Sequence, residues 1–542
     1  MKATMRLVSA LSLCSLAAYG APSWGGSDTV GQLAFNNGFQ STSFQWLTKA
    51  IGHVASRFGS PTADRTIWEI INSEEEFKQL AHVFNYSSDA TKKLLDAKDG
   101  KLTMFAPVNW HKERDPHHRD PHHGVGEGMD ESELGLAHAS AAWSRLGSQI
   151  SSYEAEERDL DEGRRERRRS MIRHLVDAVA RYHLVRSDRV IDAKTLADNS
   201  SVATYLNTEK SGYRFNDGTD WRVRTGKSLF PLPSIKLNFY SPIVKPDIEA
   251  SNGLIHAIKY PLLPPPDVLQ SLFFGHASFS SSTSALQKVH AAQYLSYRPY
   301  HHGHHGGHHG NHTSFDGPAP SSAGSTPSFD GPSPSSAGST PSLAGSAPWF
   351  TGSTPSFTGV PAETIFVPTN LAWLRLPFGL RAYLLSPFGY HRLQQIFMLH
   401  SLPFDIVYAD FVHHVAGKHH GKPSEPTLIT TKEANVTKYT FDSVLPALDG
   451  EEGKYEQVDV AVYRYKILPG GRGPLQTRIT VQEVPVLFQD IPANNGVFHA
   501  IDRFIKPKGH PKVGLWAQIA QDARLAGFGS VDLEREAALD LW

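Results

Sequence analysis

The sequence predicts a domain of mixed helices and strands that is used twice along the chain, and three pairs of matching segments support this. The first pair is DIEASNGLIHAI at 247–258 and DIPANNGVFHAI at 490–501, identical at eight of twelve positions. The second pair is MFAPVN at 104–109 and IFVPTN at 365–370. The third is a helical pattern that ends on a histidine. Three matches in the same order indicate one structural unit present in two copies.

The twelve-residue segment predicts a hairpin followed by a buried strand. Its Asn-Gly pair, Asn252-Gly253 in the first copy and Asn495-Gly496 in the second, tolerates positive φ and so predicts a tight reversal between two strands. The five residues that follow in each copy are nearly all apolar, as in a strand buried on both faces. Asp247 is expected to organise the turn through local N–H donors. Asp490 has the same expected role in the second copy.

The two shorter matches predict a strand and a helix in each copy. In the strand the paired positions are Phe105 and Phe366, Pro107 and Pro368, and Asn109 and Asn370. The two asparagines are expected to cap the next helix or turn. In the helix the apolar residues keep spacings of three and four before the histidine. The paired positions are Val176 and Leu393, Val179 and Ile396, and His183 and His400.

The matching segments form three sequence boxes in a fixed order: TMFAPVN or TIFVPTN, then RYHLV, then DIxAxNGxxHAI. These boxes resemble those of a tandem fasciclin-like protein, and the two copies together cover residues 62–507. The resemblance implies an α+β fold, with each domain a β-sandwich wedge with flanking helices, and an extracellular or surface-associated role in adhesion. In animal members a Tyr-His pair in the central box is associated with integrin contact. Tyr182-His183 matches that pair, whereas the second copy has Leu399-His400. We interpret the pair as structural, bonded within the junction between helix and strand.

The resemblance and the composition together predict the domain organisation. The segments are a signal peptide (1–20), an N-terminal extension (21–60), domain 1 (61–266, with an insertion at 111–170), domain 2 (267–507, with a disordered His- and Pro/Ser/Gly-rich insertion at 300–362) and a C-terminal tail (508–542). The low-complexity tract is interpreted as a loop inside domain 2, because the strand after it needs the helices before it. No segment after the signal reaches the apolar length of a membrane span.

Composition and targeting signals favour a secreted chain. A formal charge of −1 gives no overall attraction to nucleic acid. The one cysteine, Cys14, lies in the predicted signal peptide, so no thiolate chemistry is expected. Four Asn-x-Ser/Thr sites fit a secretory route: Asn85, Asn199, Asn311 and Asn435. The predicted location is extracellular, including the cell wall, with the lumen of the vacuole or endomembrane system as the alternative.

A histidine-rich tract and an arginine-rich tract are candidate sites of metal binding and of proteolytic processing. The weak metal candidates are His301, His302, His304, His305, His308 and His309. Glycines between them fix no geometry, so adventitious metal binding is the favoured interpretation. Below about pH 6 the tract becomes polycationic. The run Arg164–Arg169 follows an acidic run, and we interpret it as an exposed helix or arm, with proteolytic processing as the alternative.

No catalytic constellation is found. His183, His256, His400 and His499 lack a nucleophile signature such as GxSxG, and HExxH is absent, so we interpret them as core histidines bonded to the backbone. No cofactor is expected. The favoured hypothesis is a secreted, non-enzymatic adhesion protein that contacts cell-surface or matrix proteins and polysaccharides. The alternatives are a lumenal factor acting through protein partners and, more weakly, a hydrolase acting on polysaccharide.

Overall fold

The computed structural model describes residues 62–98, 101–109, 150, 161–198, 200–207, 215–228, 234–299, 357–358, 360–415, 425–431, 434–448, 453–468, 472–507 and 514–529. The α-helices within these ranges are α1 (Ile67–Ser73), α2 (Lys78–Phe84), α3 (Asp89–Asp96), α4 (Glu162–Tyr182), α5 (Ala193–Asp198), α6 (Val268–Phe274), α7 (His276–Lys288), α8 (Ala292–Leu295), α9 (Asn370–Arg375), α10 (Phe378–Leu385), α11 (Tyr390–Leu399) and α12 (Leu515–Leu525). Each described helix is too short or too polar to cross a bilayer.

The strands form two large sheets and two small ladders. They are β1 (Leu102–Pro107), β2 (Leu184–Val185), β3 (Ser201–Ala203), β4 (Arg222–Ser228), β5 (Ser234–Leu237), β6 (Ser241–Ala250), β7 (Gly253–Ile258), β8 (Arg298–Pro299), β9 (Phe357–Thr358), β10 (Glu363–Pro368), β11 (Ser401–Pro403), β12 (Asp405–Val407), β13 (Val412–His414), β14 (Thr427–Thr430), β15 (Ala434–Pro446), β16 (Tyr455–Leu468), β17 (Arg472–Val481), β18 (Val484–Ala493) and β19 (Gly496–Ile501).

The two large sheets have the same strand order. The first runs β2-β1-β7-β6-β5-β4-β3, and the second runs β11-β10-β19-β18-β17-β16-β15 with β14 added at its edge. In both sheets the one parallel pair joins the two repeated boxes, β1 to β7 and β10 to β19. The registers also agree, since Phe105 lies opposite His256 and Phe366 lies opposite His499. The predicted α+β class and the duplication are confirmed.

The hairpin at the repeated segment differs from the prediction by one residue. Ala250 pairs with Gly253, so the turn residues are Ser251 and Asn252, and the positive φ falls on the glycine alone. Gly253 has φ +156°, and a Cβ there would lie 1.8 Å from the carbonyl oxygen of Leu102. The glycine is therefore required for close approach to the neighbouring parallel strand rather than for the turn itself. In the second copy a Cβ at Gly496 would lie 1.9 Å from the carbonyl oxygen of Glu363.

The central strands of the first domain are buried on both faces. Met104 and Ala106 of β1 pack with the helices α1 to α4, whereas Phe105 between them packs with the opposite cluster. Ile255 of β7 joins the helix-facing cluster and has no exposed surface. In the second domain Phe498 is likewise fully buried. Continuous burial explains the near-continuous apolar sequence of both strands.

The second domain is assembled from segments on both sides of the low-complexity tract. Val268 of α6 and Phe279 of α7 share one core with Phe366 of β10. The short strands β8 and β9 pair with each other across the tract. Residues 300–356, including the six histidine candidates, lie outside the described residues, as do the predicted signal peptide and N-terminal extension. Val360 and Ala362 are buried, so packed structure begins before the predicted end of the insertion at 362.

Two further predicted boundaries differ from the structure. Helix α4 begins at Glu162 with Asp161 as its N-cap, so Arg164–Arg169 form early turns of that helix and the insertion ends before 170. These turns are exposed except at the half-buried Arg165 and Arg168. Beyond the predicted boundary at 507, α12 packs Leu515, Ile519 and Ala523 into the second core, because apolar residues recur at helical spacing.

Candidate functional site

The histidine of each repeated segment links two parts of its own domain. His256 Nε2 lies 2.9 Å from Ile191 O, and its Nδ1 accepts a hydrogen bond of 3.3 Å from the backbone N–H of Asp247. Because a carbonyl can only accept, Nε2 carries the proton and the ring is neutral. The second domain repeats both bonds with His499, Val407 O and Asp490 N, at 2.8 and 3.1 Å.

The aspartate of each segment holds the same loop as the histidine. Asp247 Oδ1 accepts a bond of 2.8 Å from Ala193 N, and Asp490 Oδ1 accepts one of 2.9 Å from Ala409 N. These donors lie far away in sequence, so the expectation of local N–H donors is wrong. Both aspartates have positive φ, 54° and 60°, at an irregularity in the ladder. The bulge turns the backbone N–H toward the histidine and the carboxylate toward the loop.

The central-box histidines use the opposite tautomer. His183 Nδ1 donates to Val179 O at 2.8 Å, and its Nε2 accepts from Leu262 N at 2.9 Å. The second domain has the same bonds from His400 to Ile396 O and from Ile505 N, at 2.7 and 3.0 Å. Burial lowers the pKa of His183, His400 and His499 to about 4. With both ring nitrogens bonded to backbone, these rings serve the fold and have no nitrogen left for proton transfer.

The Tyr-His pair is enclosed by the first domain. Tyr182 OH donates to Arg222 O at 3.0 Å and accepts from Asn238 Nδ2 at 2.8 Å. Tyr182 and His183 both have no exposed surface. Burial also raises the pKa of Tyr182 well above its usual value. A partner could therefore reach this pair only if the domain opened.

The box asparagines bond to an earlier helix instead of capping the next one. Asn109 Oδ1 accepts from Gln79 N at 3.0 Å, while its Nδ2 donates to Glu75 O at 2.5 Å. The side-chain amide thus bridges a carbonyl and the N–H four residues later, where a helical bond would otherwise form. Asn370 bridges Ser281 N and Ala277 O in the same way, at 2.9 Å each. The predicted direction is wrong because the contact joins segments distant in sequence.

The remaining box residues complete this framework. The rings of Phe366 and His499 are stacked with centroids 5.3 Å apart, and those of Phe105 and His256 lie 5.9 Å apart. Pro107 and Pro368 end their strands, opposite Ile258 and Ile501. Asn252 Oδ1 accepts from Ile67 N at 2.9 Å, and its Nδ2 donates to Leu95 O at 2.8 Å, which attaches the first hairpin to the helices.

Two buried carboxyl groups distinguish the second domain. Glu363 stands where the first domain has Leu102, and it accepts a bond of 2.8 Å from Asn495 Nδ2. Burial raises the pKa of Glu363 to about 8. Burial, together with nearby Asp410, also raises the pKa of Asp490 to about 8. Sequence reasoning missed Glu363, whose signal was a charged residue within an otherwise apolar strand.

The junction between the domains is polar and specific. Asp410, in the loop between β12 and β13, accepts bonds from Ser201 N and Ser201 Oγ at 2.9 and 2.6 Å. Arg222 Nε donates to Ser201 Oγ at 2.7 Å, and its guanidinium lies 4.5 Å from the ring centre of Phe411. The carboxylate of Asp410 therefore attaches the second domain to the first through two charge-assisted hydrogen bonds.

Further contacts extend this junction. Arg224 Nε donates to Gln489 O at 2.8 Å, next to Asp490. His413 Nε2 lies 3.1 Å from Asp217 Oδ2. A cleft of about 430 Å³ remains between the domains. Sequence reasoning identified none of these contacts, because no local pattern marks a contact between two separately folded halves.

The modification and metal candidates are only partly within the described residues. Asn85, at the end of α2, and Asn435, on β15, are both exposed. Asn199 and Asn311 lie outside the described residues, together with the histidine tract. Over the part of the chain that the structure describes, no group of three His, Cys, Asp or Glu side chains could hold a metal ion. Glycosylation remains a prediction.

The fold and its repeated boxes define a protein of two α+β domains with a shared hydrogen-bond framework. The family model for the fasciclin domain matches residues 158–264 and 360–507, so the chain is a tandem fasciclin-like protein. The first match begins at residue 158, within the predicted insertion, and so leaves out β1, although β1 belongs to the same sheet. A solved structure of a FAS1 domain pair from the insect cell adhesion molecule fasciclin I is similar at 11% identity. The similarity covers 81% of this chain and 98% of that one, with a TM-score of 0.26. No curated protein matches.

Proposed function

We propose that the chain is a secreted, non-enzymatic adhesion protein of the cell surface or cell wall. The observation that carries the proposal is the presence of two fasciclin domains, which are typical of cell-adhesion and extracellular proteins. The partners are surface or matrix proteins and polysaccharides. Two domains held in one arrangement place several weak contacts on one chain, and linked weak contacts give a higher overall affinity than each alone.

The chemistry of the boxes supports a structural role. All four candidate histidines bond to backbone at both ring nitrogens, through Val179, Ile191, Ile396 and Val407 on the donor side. A hydrolase would instead need a histidine nitrogen directed at a nucleophile. The family comparison indicates no enzyme family. These observations favour binding over catalysis.

Exposed sequons support an extracellular setting. Asn85 and Asn435 both present their side chains to solvent, as attachment of an N-linked glycan requires. Glycans on such surfaces keep an adhesion protein soluble.

Localisation and attachment together test the proposal. A tagged full-length chain should appear in the culture medium or wall fraction, and surfaces coated with it should retain cells that a bovine albumin coat does not. Recovery only in the vacuolar or endomembrane fraction would favour the lumenal alternative. Turnover in a screen of wall polysaccharides would favour the hydrolase.

A further inference from the structure

We propose that the cleft between the two domains binds an acidic saccharide, with a carboxylate or sulfate group held by Arg464. This inference deepens the adhesion function and rests on it. The cleft volume of about 430 Å³ falls within the ~300–1,000 Å³ typical of ligand sites, which are common at domain junctions. Both domains contribute walls, so a bound ligand contacts both at once.

The arginines of the cleft are not equivalent. Arg222 is paired with Asp410 at 3.7 Å, and Arg186 is paired with Asp220 at 2.9 Å. Arg464 is exposed, and its Nη2 donates to Ala409 O at 2.9 Å. Within the described ranges Arg464 meets no carboxylate. A guanidinium has five N–H donors, so this residue keeps donors and a full charge for a ligand.

The charge of the walls selects an anion. Arg186, Arg222 and Arg464 line the cleft against the single carboxylate of Asp410. The planar donor fork of arginine matches the paired oxygens of a carboxylate or sulfate. A neutral ligand of the same shape would lack this charge-assisted contact, and a cation would be repelled.

The other walls fit a sugar better than a nucleotide. Ser200 and Thr477 line the cleft together with small aliphatic residues such as Ala203. Hydroxyl groups can both donate to and accept from sugar hydroxyls. The described lining contains no aromatic ring on which a nucleobase could stack. A hydroxyl-rich ligand with an acidic group therefore matches both parts of the cleft.

Titration of the full-length chain with defined saccharides tests the inference. The probes are a trimer of uronic acid, a sulfated trisaccharide, a neutral trisaccharide and inorganic sulfate. We expect at least one acidic trisaccharide to bind at least 10-fold more tightly than the neutral one, and which of the two binds identifies the acidic group. Inorganic sulfate that binds as tightly as the sulfated sugar would overturn the inference, since the site would then hold an anion only.

Matched variants locate the binding. Arg464→Gln should weaken binding at least 10-fold, whereas Arg524→Gln, an exposed arginine on α12, should change it less than 2-fold. Thr477→Trp fills the cleft without changing its charge and should abolish binding while the circular dichroism spectrum stays unchanged. Equal losses in the two arginine variants would indicate diffuse charge attraction, and normal binding by Thr477→Trp would place the ligand elsewhere. Either result overturns the inference.

The neighbouring sequon requires one control. Asn435 on β15 lies directly opposite Arg464 on β16, so a glycan there would stand beside the cleft. The titration is therefore run before and after enzymatic removal of N-glycans, and binding in either state supports the inference. Failure of all acidic probes in both states, with cell attachment by the wild-type chain intact, rejects the saccharide site alone. Loss of secretion and attachment in the wild type rejects the proposed function itself.

Discussion

The two domains share a hydrogen-bond framework but differ in what they bury beside it. At the base of the central parallel pair the first domain places Leu102, and the second places Glu363. The first keeps Asp247 partly exposed, whereas the second buries Asp490 completely. The framework therefore tolerates an ionisable group where an apolar one also fits, provided that the carboxyl is protonated or bonded to an amide.

This difference gives the two domains opposite responses to pH. In the first, His183 and His256 have lowered pKa values, so below pH 6.5 the unfolded chain binds more protons and stability falls as pH falls. In the second, Glu363 and Asp490 stay protonated up to about pH 8, so the unfolded chain binds fewer protons and stability falls as pH rises. Between pH 4 and 6.5 the loss of stability that Glu363 and Asp490 cause as pH rises opposes the gain from His400 and His499.

The largest expected effect tests the part of the framework that the domains share. Gly253→Ala and Gly496→Ala each direct a Cβ into a carbonyl oxygen of the neighbouring strand, at 1.8 and 1.9 Å. Each substitution should destabilise its own domain by about 4 kcal/mol or more. Denaturant unfolding measures the loss, and hydrogen exchange assigns it to a domain.

Gly453→Ala is the control for this substitution. Gly453 also has positive φ, +80°, but a Cβ there meets nothing within 4 Å. Strain of the left-handed conformation alone costs about 1–2 kcal/mol. A loss at Gly253 no larger than that of the control would contradict the close-approach argument.

His400 and His499 carry the proton on different ring nitrogens, so different substitutions should recover part of the stability lost on removing each ring. His400→Ala and His499→Ala each leave buried backbone groups unpaired and should cost about 3 kcal/mol. Asn places a donor near the Nδ1 position and should recover about 1 kcal/mol at His400, where Nδ1 donates. Gln places a donor near the Nε2 position and should recover about 1 kcal/mol at His499, where Nε2 donates. Identical rescue by Asn and Gln at both positions, in thermal unfolding, would contradict the tautomer assignment.

Removing the buried acids should make the second domain resemble the first. Glu363→Gln keeps an oxygen that can accept from Asn495, and Asp490→Asn keeps one that can accept from Ala409. Between pH 6.5 and 8 the free energy of unfolding should fall less steeply in each variant, by about 1.4 kcal/mol per pH unit. Urea midpoints across this range measure the slope. An unchanged slope in the double variant would show that these carboxyls are ionised in the folded state.

The smallest effect compares the first helix of each domain. Thr66 Oγ accepts from Glu69 N while the Glu69 carboxylate accepts from Thr66 N, and Asp267 caps α6 through Gln270 N. Thr66→Ala and Asp267→Ala should each cost about 1 kcal/mol. Hydrogen exchange in the first helical turn is the readout. Unchanged exchange in either variant would mean that this cap is dispensable.

The repeated segments could be predicted from the sequence, whereas the contacts between residues distant in sequence could not. The boxes identified β1, β7 and their counterparts because burial on both faces leaves a visible apolar run. The glycine was assigned to the turn because Leu102, on the neighbouring strand that it approaches, is 151 residues away in sequence. The bonds of Asn109 and the attachment of Asp410 to Ser201 were missed for the same reason, since tertiary partners leave no local pattern.

The pairing of β8 with β9 gives the second domain tolerance to cutting. Helices α6 and α7 and strand β10 share one core although the low-complexity tract separates them. A protease that nicked the tract would produce two polypeptides on a denaturing gel. In solution the two fragments would still sediment as one particle, because the shared core and the pairing of β8 with β9 hold them together.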